Sequence, residues 1–231
     1  MPRIKDLYIT LETGKEKSNF EYDAFFNTYS RPLCFHLGLY WSKKYNVKLS
    51  FNRIVFKDSF INNNENSFEI NDSKVLVVNF KYFEKEKWNL LLSVGNEIEI
   101  QNYYIEILNK GFEIILKEFH ELVEVLNNGI LDFVQNQYVT QGTWIRKTNG
   151  KNIVAKIDYK MQFSLKRKSC FEAHILVEKN KNIIFTKKLN NSGLHDDFVL
   201  YYNFKNIEIN SETKEVIIKD RIEVTHKFKF E

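Results

Sequence analysis

Between Ile98 and Leu126 the apolar residues Ile98, Ile105, Leu108, Phe112, Ile115, Phe119, Leu122 and Leu126 recur at alternating spacings of three and four, interrupted once at Gln101. That period is one face of an amphipathic helix. It predicts a single rod of about 26 residues and roughly 39 Å, starting near Asn102 and stopped by Asn127-Asn128-Gly129. Glu106/Lys110 and Glu113/Lys117 add pairs in the favourable order. Gly111 interrupts good helix formers and implies a kink or a close approach there. A shorter second helix is expected in Ile130–Tyr138.

Beyond about Ile153 the period changes to two. Ile153, Ala155, Ile157, Tyr159, Met161, Phe163 and Leu165 share one face, with Lys156, Asp158, Lys160, Gln162 and Ser164 on the other. Phe171–Val177 repeats the scheme, a turn follows at Lys179–Lys181, and a strand follows through Ile184–Leu189. After a loop at Asn190–Asp197 come Phe198–Phe204, a turn at Ser211–Lys214 and one long strand over Val216–Phe230. This is an antiparallel meander with one dry face. Strands of about 13 to 15 residues exceed the usual length, so the sheet is expected to coil strongly. Lys5–Leu11, Val47–Phe56 and Lys74–Tyr82 also read as strands, whereas Phe35–Tyr45 fits helix or strand equally and Gly38 weakens both.

The expected fold is therefore α+β, a long central amphipathic helix packed on a strongly coiled, largely antiparallel sheet. One domain is expected over 1–231, with N-terminal strands in 1–94, a helical segment in 95–140 and the meander in 150–231. With 43% hydrophobic residues, 20 Phe and only 2 Pro and 8 Gly, the chain can bury a substantial core. Met1–Gly14 lacks the apolar stretch of a signal peptide and the longest aliphatic run, Leu90–Leu92, is too short to span a bilayer. Cys34 and Cys170 make no metal or redox spacing. A cytoplasmic protein without cofactor or metal is expected.

The net charge of +4 is unevenly placed: residues 1–94 carry +3, residues 95–146 carry −5 from 3 basic and 8 acidic groups, and residues 147–231 carry +6. Candidate chemistry is thin. His195-Asp196-Asp197, after Ser192-Gly193, concentrates types suited to a metal or a general base, yet an ordinary solvated loop contains the same residues. His226 lies in phase with an apolar face and His174 with a polar one, while His36 and His120 have no spacing partner. Glu212-Thr213-Lys214 resembles a nuclease element but falls in a turn. For nucleic acid, Lys166-Arg167-Lys168, Lys187-Lys188 and Trp41-Ser42-Lys43-Lys44-Tyr45 are interspersed with acidic residues, where a phosphate track needs a continuous basic stripe.

Surface recognition is the favoured role. The carboxylates Glu106, Glu113, Glu118, Glu121, Glu124 and Asp132 of the acidic middle segment are expected to oppose a basic protein partner, as a bacterial immunity or inhibitor protein opposes a toxin or enzyme. A second possibility is a carrier of a small hydrophobic ligand, with a cavity lined by Tyr159, Phe163, Tyr202, Phe204 and Phe112. A hydrolase built on His195, Asp196 and Asp197 is the third.

Overall fold

The computed structural model describes residues 5–12, 20–59, 66–149, 152–166, 170–189, 200, 203–220 and 223–230. It is mixed α+β, about 35% helix and 40% strand. The chain divides into two compact units, Met1–Thr140 with Phe163–Lys168, and Gln141–Gln162 with Ser169–Glu231.

The first unit is built on a four-stranded sheet of β1 (Asp6–Glu12), β2 (Arg53–Ser59), β3 (Ser67–Ile70) and β4 (Val75–Phe80), in the order β1-β2-β4-β3. β1 runs parallel to β2 and β2 to β4, and β3 is antiparallel at the edge. Parallel neighbours need a crossover, supplied between β1 and β2 by α1 (Phe20–Tyr29) and α2 (Arg31–Lys44). The register lines up Leu7-Ile54-Leu76, Ile9-Phe56-Val78 and Leu11-Asp58-Phe80 across the sheet, and all nine side chains are buried.

The ambiguous stretch Phe35–Tyr45 lies in α2 and the strand expected from Val47 begins only at Arg53. α2 seals the free edge of β1: the Lys5 N–H donates to Ser42 Oγ at 2.7 Å, and the Lys5 ammonium lies over the Trp41 ring. Gly38 makes that approach possible, because a Cβ there would overlap the Lys5 carbonyl oxygen. Gly38→Ala is accordingly expected to destabilise the protein by about 2 kcal/mol, the upper part of the overpacking range less about 1 kcal/mol of gained helix propensity. Urea unfolding checks this, and a stabilised variant would mean that α2 can move outward.

The single long rod is corrected to two helices, α4 (Glu97–Ile115) and α5 (His120–Gln135), following α3 (Lys85–Val94). The break needs no glycine or proline. The Glu118 and Phe119 amides both donate to the Ile115 carbonyl, and Phe119 swings out against the rings of Phe51 and Phe68 at 5.4 and 5.8 Å. The apolar period runs through the break because Ile115, Leu122 and Leu126 all enter one core. α4 starts earlier than expected, with Asn96 capping the Ile98 and Glu99 amides. Gly129 does not stop a helix: it lies inside α5 and admits α2, a Cβ there falling 2.9 Å from Leu37. Gly111 marks close packing of α4 on the Phe56 ring.

The second unit holds an antiparallel sheet, β5 (Val139–Thr148), β6 (Ile153–Gln162), β7 (Cys170–Lys179) and β8 (Asn182–Leu189), paired in chain order. A second sheet has the order β11-β10-β9, from β9 (Asn206–Asn210), β10 (Glu215–Lys219) and β11 (Val224–Lys229). The expected face of Ile153, Ala155, Ile157, Tyr159 and Met161 is buried, with Ala173, Ile175 and Val177 opposite in register. Val216–Phe230 is corrected from one strand to a hairpin, reversed where Asp220 Oδ1 accepts the Glu223 amide at 2.7 Å. Strands of at most ten residues in separate sheets remove the need for strong coiling, and the parallel pairs of the first unit mean that the strands are not uniformly antiparallel.

Candidate functional site on the helical hairpin

α4 and α5 form an antiparallel pair. α5 follows α4 after four residues, and Tyr138, just past its end, donates to Asn102 Oδ1 on α4 at 2.8 Å. The six carboxylates expected to face a partner all lie on this hairpin, but they are of two kinds.

Three are engaged locally. Glu106 Oε2 accepts from Lys87 Nζ at 2.7 Å and from the Tyr82 hydroxyl at 3.1 Å. The bond holds the Lys87 pKa above its ordinary value, while burial and then Glu106 raise that of Tyr82. Glu113 accepts from Lys110, one turn away. Asp132 Oδ2 lies 3.0 Å from His36 Nε2 on α2. Burial pulls the His36 pKa below its ordinary value against the opposing pull of Asp132, so the imidazole is neutral at pH 7.

The other three, Glu118 in the turn and Glu121 and Glu124 in the first turns of α5, are exposed and make no ion pair among the described residues. Glu121 and Glu124 are three apart, hence neighbours on the helix surface. Their position at the amino end of α5 suits the positive pole of the helix dipole. From Glu124 the same stripe continues at spacings of three, four and three through Asn127, Leu131 and Val134, and Leu131 and Val134 are 58% and 38% exposed. The sequence reading missed these two, since any apolar residue on a helix is first assigned to the core.

The remaining candidates separate. His195, Asp196 and Asp197 lie outside the described residues, as do Tyr202, Arg167 and Lys168. Phe112 is buried edge-on against Phe56 at 5.4 Å in the first unit, which also contains Phe163; Tyr159 and Phe204 belong to the second. His226 packs between Phe204 and Phe228, and His174 stands on the outer face between Asp158 and Lys188. Glu212 and Thr213 form a turn whose amides bond Asn210 Oδ1. Trp41 is fully buried and offers no stacking surface; Lys188 is bound to Glu172 and Lys187 lies over Phe228. Cys34 is buried and outside any disulfide. Among the described residues no group of three or more His, Cys, Asp or Glu is placed to hold a metal ion, and no helix is long and apolar enough to cross a membrane. No family model, curated protein or solved structure matches the chain.

Proposed function

We propose that the protein works by binding another protein, as an inhibitor or immunity-type protein that neutralises a basic toxin or enzyme, through the exposed stripe of α5. The observation that carries this is the uncompensated trio Glu118, Glu121 and Glu124 running into Leu131 and Val134. An aliphatic centre beside unpaired charge is the composition of an interface, where buried apolar side chains hold and rim charges steer. Of the two hairpin lysines, Lys110 is spent on Glu113, and Lys117, beside Glu118, makes no ion pair with the trio among the described residues.

The test is co-purification from the native host at moderate salt, comparing the parent with Glu118→Lys/Glu121→Lys/Glu124→Lys. A stoichiometric partner of high isoelectric point is expected with the parent, bound about 30-fold more weakly by the charge-reversed variant, roughly 2 kcal/mol from three rim pairs turned repulsive. No stoichiometric partner, or one indifferent to the reversal, defeats the reading.

A further inference from the structure

Exposed aliphatic side chains collect on the acidic helices. Among the described residues ten large apolar side chains stand exposed, and six of them, Leu90, Val94, Ile98, Leu116, Leu131 and Val134, lie on α3, α4, α5 or the turn between the last two. Residues 85–135, which hold those three helices, carry nine acidic against four basic groups, −5 in a chain of net +4. A solvated surface scatters such side chains singly, whereas their concentration where the charge is also of one sign marks a recognition surface.

Five of the six form one band. Leu90 and Val94, 63% and 62% exposed, are one turn apart on α3, and Ile98, 53% exposed, follows on the first turn of α4. Asn102 continues the Ile98 stripe one turn on, and its Oδ1 accepts from the Tyr138 hydroxyl at 2.8 Å. At Tyr138 the chain folds back on α5, the Gln137 and Tyr138 amides donating to the Val134 and Phe133 carbonyls. The neutral pair Asn102 and Tyr138 thus joins Leu90, Val94 and Ile98 to Leu131 and Val134. Glu86, one turn before Leu90, and Glu99, beside Ile98, are exposed and make no ion pair among the described residues, while Lys87 is held by Glu106. The α3–α4 end therefore carries the same sign of charge as Glu121 and Glu124 on α5.

We propose that this band receives a basic amphipathic helix of the partner, which rests on the protein-binding reading above and names the element that docks. The aliphatic side chains fall at three- and four-residue spacings, matching the apolar face of a helix laid along them. The carboxylates that border the row complement an apolar stripe flanked by Lys or Arg. An extended peptide gains its affinity by pairing with a free sheet edge, and α3, α4 and α5 offer none. An anionic lipid surface is repelled by the same carboxylates.

The probe is a labelled peptide of about 18 residues, five helical turns, with Leu on one face and Lys on the other. Anisotropy titration with the full chain compares it with a scrambled peptide of the same composition. Saturable binding of the amphipathic peptide is expected, at least about tenfold tighter than that of the scrambled one. Leu90→Gln/Val94→Gln/Ile98→Gln and, separately, Leu131→Gln/Val134→Gln should each weaken it at least about tenfold with unchanged circular dichroism, since every changed side chain is exposed and Gln suits a helix. Glu86→Lys/Glu99→Lys reads the α3–α4 end without touching an apolar side chain and should weaken binding about fivefold. The control Val47→Gln/Ile183→Gln/Val224→Gln, which removes exposed aliphatic chains elsewhere, stays close to the parent. Loss confined to the Leu131/Val134 variant overturns the band and leaves the α5 reading standing, and that reading fails separately if no partner co-purifies. Loss confined to the α3–α4 variants, no saturation up to about 100 μM peptide, equal binding of the scrambled peptide or equal loss in the control also overturns it. So does a dimer of the parent that Leu90→Gln/Val94→Gln/Ile98→Gln abolishes, which puts a second copy on the band, or capture by phosphatidylcholine vesicles in preference to the peptide.

Discussion

Trp88→Ala is expected to cost about 2–4 kcal/mol of stability. Trp88 is fully buried at the start of α3 and is ringed by Phe26 at 5.3 Å, Tyr104 at 5.6 Å, Tyr103 at 6.0 Å, Tyr29 at 6.3 Å and Phe83 at 6.4 Å. Those rings come from α1, α4 and the turn before α3, so the indole joins three elements at one point. Truncation removes its transfer energy and leaves a cavity that five aromatic neighbours cannot fill by small shifts, a loss of roughly 3–5 kcal/mol. Part is returned, because the buried Trp88 Nε1 has no hydrogen-bond partner and its removal relieves about 1 kcal/mol. Trp88→Phe, which keeps a ring and drops the N–H, should therefore cost about 1 kcal/mol. Urea midpoints decide between them; equal losses in the two variants would mean that the cluster repacks.

Acidification between pH 7 and pH 4 is expected to strengthen the fold through Asp58 by about 3 kcal/mol. Its carboxyl is fully buried in the row with Leu11 and Phe80, and burial lifts its pKa from 3.8 to about 6 against the pull of the Tyr82 and Phe83 amides and of Lys81. The folded pKa lies above the unfolded one, so the native state holds the extra proton. The contribution is fully present below about pH 4 and is lost as pH rises through 6; two pKa units at about 1.4 kcal/mol each give the size. Asp58→Asn keeps an oxygen for the Tyr82 N–H, 3.1 Å from Oδ1, and removes the charge. Its stability should change less than that of the parent between pH 4.5 and 7.5, and it should be the more stable of the two at pH 7.5. Parallel profiles would place the carboxyl in water. Most acids are absent from such rows; this one is kept because it fixes the turn into α3, where the Glu84 amide in turn donates to the Tyr103 hydroxyl at 2.9 Å.

The period-two pattern found β6 and β7 because each side chain there reports one face of one sheet. The period-3.6 pattern found the right residues on the wrong object. Ile115, Phe119 and Leu122 keep their spacing through a reversal because both helices feed one core, and periodicity records burial rather than straightness. Gly38 and Gly129 read as helix breakers, yet both are helical positions chosen for a neighbour that only the fold supplies. The acidic segment was legible as charge; that Glu106 and Glu113 are ion-paired and Asp132 lies against the neutral His36, while Glu118, Glu121 and Glu124 make no pair among the described residues, depends on Lys87, Lys110 and His36.

Phe163–Lys168 returns to the first unit after the chain has laid down β5 and β6 in the second. Phe163 lies against Tyr29 at 4.7 Å, and the Leu165 amide donates to Glu97 Oε1 at 2.8 Å. During synthesis the helical unit therefore lacks its last piece until well after its own strands have left the ribosome. At about 5–20 residues per second the delay is a few seconds, long compared with helix pairing. A nascent chain stalled at Thr140 is expected to be cut by protease faster than one stalled after Lys168 has emerged, so the order of translation is itself part of how this protein closes.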